Sequence, residues 1–180
     1  VSVFSVDGVE ALPYVYKLLR ELSMNFSVVV DKDYFMPYQN DERKNSLDAR
    51  GFPRYRQEFK TGTLLEDMVP SAVKRADLLN KFHANHSRAM DILEAGNVYC
   101  FRWAMEVDLV ASITAKDLLY NQLAIPAADQ KTEELLINRS KALKKLTTVL
   151  SVLRQLPKKN YPHSYARIRR SLTAVIKQSH

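Results

Sequence analysis

The stretch FSVVVDKDYF, residues 26–35, decides the fold that this chain is expected to adopt. Its first five residues, FSVVV, are rich in β-branched valine, which is typical of a strand buried on both faces. Two carboxylates, Asp31 and Asp33, follow directly and are separated by one lysine. In an extended chain, side chains two residues apart point to the same side. The stretch therefore predicts a strand of a parallel sheet with two acidic side chains at its carboxyl end, where such sheets bind ligands.

A second acidic strand end lies further along the chain. The apolar stretch NVYCFRW, residues 97–103, predicts another strand, and Glu106 and Asp108 follow it. Carboxyl ends of parallel strands meet at one edge, so these acids are expected near Asp31 and Asp33. Carboxylates that close repel one another unless a cation lies between them, and Mg²⁺ or Mn²⁺ suits oxygen ligands. The alternative is that the two aspartates only cap a turn.

The rest of the chain alternates between helical and irregular patterns. Residues 1–6 (VSVFSV) predict a strand, and residues 9–24 predict a helix, so that a β-α-β unit leads to Asp31. Asp7-Gly8 between them is a candidate further ligand, but a tight turn is preferred. The polar and basic residues 34–62 predict a long loop.

The second half of the chain is predicted to be mostly helical. A helical pattern over residues 63–96 is interrupted near Pro70, where Ser71 provides a cap. Within it, His83 and His86 are expected on one helical face, and without a third ligand nearby zinc is not expected. Residues 132–156 carry apolar positions close to a 3.6-residue period and predict one amphipathic helix, which a basic helix follows.

Composition favours an anionic partner and a reducing compartment. The chain has 180 residues, enough for one domain, and a net charge of +7 with a pI near 9.5. Its single cysteine, Cys100, cannot form an internal disulfide, which predicts a cytoplasmic location and a small buried side chain. No apolar run approaches the ~20 residues of a membrane span. Because the chain starts without methionine, we expect it to be a piece of a longer protein.

Basic and aromatic side chains suggest a surface for nucleic acid, although a solvated charged face explains any one run equally well. The basic candidates are Arg50, Arg54, Arg56, Lys60, Lys141, Lys144, Lys145, Arg167, Arg169 and Arg170, and the aromatic candidates are Phe52, Tyr55, Phe59 and Tyr165.

Residues 1–35, together with the stretch NVYCFRWAMEVDLV at residues 97–110, resemble the Toprim domain of OLD-family (overcoming lysogenization defect) nucleases. The resemblance covers roughly residues 1–145. Asp31 and Asp33 match the family's Asp-x-Asp strand end. Glu106 best matches the acid of a later motif, with Asp108 as the next candidate. The family's further lysine corresponds by position to Lys141 first and to Lys144 second.

The resemblance implies a Toprim-like, mostly parallel sheet flanked by helices over residues 1–128, followed by a helical region over residues 129–180. Toprim domains carry a glutamate motif after their first strand, and this chain lacks it. Either Asp7-Gly8 is a degenerate version or the chain begins after the motif. The family's helix pattern matches residues 9–23, which favours the second explanation.

The activity implied by the resemblance is Mg²⁺- or Mn²⁺-dependent cleavage of DNA. Asp31, Asp33, Glu106 and Lys141 are then the expected catalytic residues, with Asp108 as a further metal ligand. The implied partners are DNA, an ATPase domain upstream in the parent chain, other copies of the chain in a homo-oligomer, and a partner protein in anti-phage defence.

Two other functions remain open from the sequence. One is a non-catalytic module that binds nucleic acid or protein, in which the aspartates only cap a turn. The other is a phosphatase of the haloacid-dehalogenase type, which also has Asp-x-Asp after a strand. That family wants Thr or Val two residues after the second aspartate, and Phe35 stands there instead.

Overall fold

The computed structural model describes residues 8–178, and side chains as far as residue 173. Its architecture is mixed α/β, as predicted, with more helix than strand. The predicted first strand and Asp7 lie outside the described residues. In chain order the elements are α1 (Leu12–Glu21), β1 (Val28–Val30), α2 (Leu65–Met68), α3 (Ala72–Ala84), α4 (His86–Glu94), β2 (Val98–Cys100), α5 (Met105–Val110), α6 (Ile113–Gln122), a π-helix (Glu134–Asn138), α7 (Ser140–Leu143), α8 (Leu146–Gln155) and α9 (His163–Gln178).

The two predicted strands that lie in the described residues pair in parallel. Val28 of β1 stands opposite Val98 of β2, and the register continues to Val30 and Cys100. Backbone hydrogen bonding extends past the strands, because the Lys32 amide donates to the Trp103 carbonyl at 2.8 Å. Both strands therefore end at the same edge, and the segments that follow them run side by side.

Helix α1 packs beside the strands through one part of its surface. Pro13 occupies its first turn, where the missing N–H costs nothing. Leu12 and Tyr16 are buried, and the Tyr16 hydroxyl donates to the Gly96 carbonyl at 2.9 Å, just before β2. This hydrogen bond fixes the helix against the start of the second strand.

Residues 34–62 form the predicted long loop, and its contacts hold it in a defined shape. Tyr38 and Tyr55 form an isolated antiparallel bridge, and their rings stack with centroids 5.2 Å apart. The Asp48 carboxylate accepts hydrogen bonds from the backbone amides of Arg50 and Phe52. A one-turn 3₁₀ helix, Arg43–Asn45, lies inside the loop.

The helical pattern before β2 is interrupted twice. Ser71 caps α3 by accepting from the Lys74 amide, as predicted. The expectation that His83 and His86 share one helical face is wrong, because Asn85 lies between them with φ −151° and ψ 83°, outside the helical region. The Asn85 side chain caps α4 by accepting from the Arg88 amide at 3.3 Å.

The single helix predicted over residues 132–156 is also wrong. The structure has the π-helix, α7 and α8 there, and Lys145 before α8 has extended dihedral angles. A straight helix of that length would span about 37 Å. The breaks let Leu135, Leu143 and Val152 all reach the same hydrophobic cluster.

Two hydrophobic clusters form the core. The first surrounds the strands, α1, α3 and α4, and includes the buried Cys100, as predicted. The second joins α5 and α6 to α7 and α8. Leu119 and Val149 both contribute to it, so residues on either side of the predicted boundary at 128 share one cluster; that boundary stays a prediction. Of the helices in the described residues, none combines the length and apolar character needed to cross a membrane.

Candidate active site at the carboxyl ends of the strands

A cavity of about 490 Å³ lies where the two parallel strands end. The Met105 amide, at the start of α5, donates to Asp31 Oδ1 at 2.9 Å, so the segment after β1 is tied directly to the segment after β2. This link brings together acids that are more than seventy residues apart in the sequence. The residues that line the cavity are Asp31, Asp33, Tyr38, Arg43, Ala104, Met105, Glu106 and Lys144.

Each carboxylate in the cavity has one oxygen held by a protein donor. Asp33, in the 3₁₀ turn Lys32–Tyr34, accepts from the Tyr38 hydroxyl through Oδ2 at 2.9 Å. Glu106, in the first turn of α5, accepts from Arg43 Nη1 through Oε1 at 2.5 Å. Together with the Met105 bond to Asp31, these contacts use one oxygen of each side chain. Among the described residues, the second oxygens of these side chains accept no hydrogen bond.

Glu106 is paired with Arg43, whereas Asp31 has no ion-pair partner among the described residues. The pKa of Asp31 is raised from 3.8 to about 7, chiefly because the carboxyl is buried and further because Asp33, Glu106 and Asp108 are nearby. The Met105 amide acts in the opposite direction and is outweighed. A bound cation would favour the ionised form of Asp31 and remove this cost.

Asp108 lies in a different environment from the other three predicted ligands. It is buried and accepts hydrogen bonds from the Arg102 amide at 2.8 Å, the Trp103 amide at 2.9 Å and the Ser164 hydroxyl. Burial raises its pKa to about 6 against the effect of these donors. Two residues span about 200° around a helix, so Glu106 and Asp108 diverge from α5. Asp108 holds the turn after β2 and the start of α9, and does not line the cavity.

The structure separates the two candidate lysines. Lys144, at the end of α7, lines the carboxylate cavity. Lys141 is exposed one turn earlier and does not line it. The resemblance placed Lys141 before Lys144 as the candidate catalytic lysine, whereas the geometry favours Lys144. The two lysines are three residues apart, so the position of α7 relative to the strand ends decides which of them reaches the cavity.

Two residues of this cavity were not singled out from the sequence. Arg43 reaches Glu106 from the long loop, and its Nη2 is buried without a hydrogen-bond partner among the described residues. Tyr38 positions Asp33. Both come from a loop whose composition gives no periodicity, and only the folded path of the loop brings them to the strand ends.

The cavity residues suit a hard divalent cation held in a partly hydrated form. The donors are all carboxylate oxygens, which Mg²⁺ and Mn²⁺ prefer. Among the described residues, no group of three or more Asp, Glu, His or Cys side chains surrounds a common point in the way a complete metal site would. Mg²⁺ is commonly held by one or two carboxylates together with waters and substrate phosphate oxygens. One or two of Asp31, Asp33 and Glu106 fit that arrangement, whereas all three together do not surround a single ion.

Several predicted nucleic-acid contacts are engaged within the protein. Arg167 pairs with Asp91 and Glu94 at 2.6 and 2.5 Å, which fastens α9 to α4. Tyr165 donates to the Met105 carbonyl at 2.9 Å. Phe52 is buried in the second cluster, and its ring packs on that of Trp103. These side chains act in the fold, whereas Arg54 and Arg56 line a second cavity described below.

Comparison of the chain with protein-family models, with curated proteins and with solved structures found no match.

Proposed function

We propose that this chain hydrolyses phosphodiester bonds in DNA with the help of Mg²⁺ or Mn²⁺. The observation that supports this most directly is the cavity at the shared edge of two parallel strands. It combines three carboxylates, Asp31, Asp33 and Glu106, with two cations, Arg43 and Lys144. Carboxylates provide the metal ligands of phosphoryl chemistry, and cations neutralise the charge that develops on the phosphorus oxygens.

The protein residues have separable roles in the proposed reaction. Asp31, Asp33 and Glu106 would hold the cation, which supplies an activated water and polarises the phosphate. Lys144 would contact a phosphate oxygen and offset its growing negative charge. Arg43 holds Glu106 in place and adds positive charge to the wall of the cavity.

A wider assignment, which goes beyond the cleavage of DNA, rests on the resemblance to the OLD-family nucleases. It comprises a Toprim-like region of an OLD-type nuclease, an ATPase domain upstream in the parent chain, a homo-oligomer and a partner protein in anti-phage defence. The parallel pairing of β1 with β2 and the acids at their carboxyl ends are compatible with it. The phosphatase alternative is less well supported, because Phe35 is completely buried and offers no polar group to the cavity.

The direct test is cleavage of plasmid DNA and of labelled single- and double-stranded oligonucleotides with Mg²⁺, Mn²⁺ or EDTA. We expect cutting with either metal and none with EDTA. Asp33→Asn should reduce the rate at least about a hundredfold, since it removes a ligand charge from the cavity. Asp129→Asn is the matched control, because Asp129 is exposed and remote from the lining residues.

Cleavage that is equally fast in Asp33→Asn and in the wild type would move the active centre away from these strands. A folded wild type that cuts no substrate with either metal would favour the non-catalytic binding module. One observation already points toward that alternative: the described residues do not surround a metal-sized point with three ligands.

The two lysines of α7 allow a sharper test of the cavity. We expect Lys144→Met to slow cleavage about a hundredfold, because an unneutralised transition-state charge costs this much at other oxyanion sites. Lys141→Met removes the same charge one turn away and should leave the rate within about twofold. Initial rates under saturating metal measure both. The reverse order of effects would restore Lys141 as the catalytic lysine.

A further inference from the structure

A second and larger cavity, of about 940 Å³, lies beside the same chain segment. The two cavities have no lining residue in common, but neighbouring residues of the same segments line one or the other. Lys32 lines the large cavity, whereas its neighbours Asp31 and Asp33 line the small one. The stacked rings of Tyr55 and Tyr38 are divided in the same way. The Asp-Lys-Asp sequence therefore sends its acids and its base into different cavities.

Lys32 is an unusual group to find in such a wall. Only 7% of it is exposed, and Nζ donates to the Phe82 carbonyl at 3.2 Å. The rings of Tyr55 and Phe82 lie 5.0 and 5.6 Å from Nζ. Among the described residues, no carboxylate forms an ion pair with it. A buried ammonium with so little compensation is costly, and an anion in the cavity would offset that cost.

The other polar groups of the cavity also suit an anion. Arg54 and Arg102 line it and are exposed, and neither forms an ion pair with a carboxylate in the part of the chain that the structure describes. Arg56 also lines it, but Asp41 and Glu58 already pair with that side chain. His86 also lines the cavity, but burial lowers the pKa of its ring to about 3, so it is neutral and adds no positive charge. No Asp or Glu is among the described lining residues.

An aromatic surface accompanies these cations. Trp103 lines the cavity, and the Arg102 guanidinium lies 4.6 Å from the centre of its ring. Arginine guanidinium groups form bidentate hydrogen bonds with phosphate oxygens, and aromatic rings or guanidinium planes stack on bases. A volume of this size is typical of pockets that enclose a whole small ligand rather than an ion alone.

We propose that this cavity binds the phosphate group of a nucleotide unit, with Lys32 as the deep contact and Arg54 and Arg102 at the mouth. The ligand is either a free nucleotide or one unit of a nucleic-acid strand, since both present the same phosphate and base. The site needs no metal and stands independently of the proposed hydrolysis.

The single tryptophan of the chain makes the test direct. Because Trp103 is the only tryptophan and lines the cavity, intrinsic fluorescence reports occupancy of this site. The whole chain is titrated in EDTA, where the proposed metal-dependent cleavage is absent, with inorganic phosphate, adenosine monophosphate and a single-stranded oligonucleotide. We expect saturable binding of a nucleotide-containing probe. If the monophosphate and the oligonucleotide bind with equal affinity per site, the ligand is a free nucleotide. If only the oligonucleotide binds, the ligand is one unit of a nucleic-acid strand.

Two variants and a control make the proposal falsifiable. Lys32→Met and the double variant Arg54→Gln/Arg102→Gln should each weaken binding at least about tenfold, since each removes charge-assisted hydrogen bonds. Lys131→Met removes an exposed lysine outside the cavity and should leave the affinity within about twofold. The arginine variant alters exposed side chains, so it tests the site even where Lys32→Met fails to fold.

The proposal is overturned by the absence of a saturable change with every probe at millimolar concentrations. Equal affinities of the wild type and the arginine variant would overturn it as well. Failure of DNA cleavage in the separate metal-dependent assay would leave these binding results unaffected, so the two proposals fail independently.

Discussion

Replacing Asp31 by asparagine is expected to reduce DNA cleavage by about a thousandfold or more and, at the same time, to stabilise the fold above pH 7. The loss of cleavage follows from removing a central carboxylate from the proposed metal site. The gain in stability follows from the raised pKa of Asp31, which records the cost of keeping that carboxylate ionised in a buried position beside Asp33 and Glu106. Asparagine keeps an oxygen that can accept from the Met105 amide.

The pH dependence of this stabilisation follows from the difference between the pKa of Asp31 in the unfolded chain and in the folded chain. The ordinary pKa of 3.8 applies to Asp31 in the unfolded chain, and the folded chain raises it to about 7. Below about pH 4 the carboxyl is protonated in both states, so no charge is buried and the fold bears no cost from it. As the pH rises from there to about 7, the unfolded chain releases the proton first, so that the stability of the fold decreases. Above pH 7 the full cost is present.

Urea denaturation in EDTA measures this prediction. At pH 8 the free energy of unfolding of Asp31→Asn should exceed that of the wild type by about 2 kcal/mol, a figure reduced because the carboxyl is partly exposed to water. At pH 4 the two should be nearly equal. Mg²⁺ should stabilise the wild type at pH 8 and leave the variant almost unchanged. A variant that is less stable at pH 8, or that still cleaves DNA fully, contradicts the assignment.

Replacing Asp108 by alanine is expected to have the opposite effect on stability. The change leaves the backbone amides of Arg102 and Trp103 and the Ser164 hydroxyl without their acceptor in a buried position. Each unpaired donor costs about 1–3 kcal/mol, so the free energy of unfolding should decrease by about 3 kcal/mol or more. Thermal or urea unfolding at pH 7 measures the change.

A second substitution separates this structural role from metal binding. Ser164→Ala removes one of the three donors to Asp108 and should cost only about 1 kcal/mol. If Asp108→Ala folds with wild-type stability but loses its response to Mg²⁺, Asp108 is a metal ligand, as the sequence suggested. If Asp108→Ala is less stable than the wild type but is stabilised by Mg²⁺ to the same extent, Asp108 acts by fixing the turn after β2.

The sequence determined those features that depend on local pattern. The valine run and the NVYCFRW stretch form the two paired strands, and Ser71 caps the helix that follows Pro70. Because parallel strands end at one edge, the sequence also indicated that Asp31 and Asp33 would meet Glu106, and all three line one cavity. Strand and cap preferences act over a few residues, so the strands and the cap can be inferred from neighbouring residues, and the meeting of the acids follows once the strands are parallel.

Only the tertiary structure decided which side chains complete the two cavities. Arg43 reaches Glu106 across 63 positions of sequence, and Lys32 enters a different cavity from the aspartates beside it. Asp108 turns away from Glu106 because the chain is helical from Met105 onward, so that side chains two residues apart diverge. The choice between Lys144 and Lys141 likewise depends on where α7 packs. These outcomes are set by the path of a long loop and the orientation of helices, which arise from contacts between distant residues and leave no periodic signal in the chain.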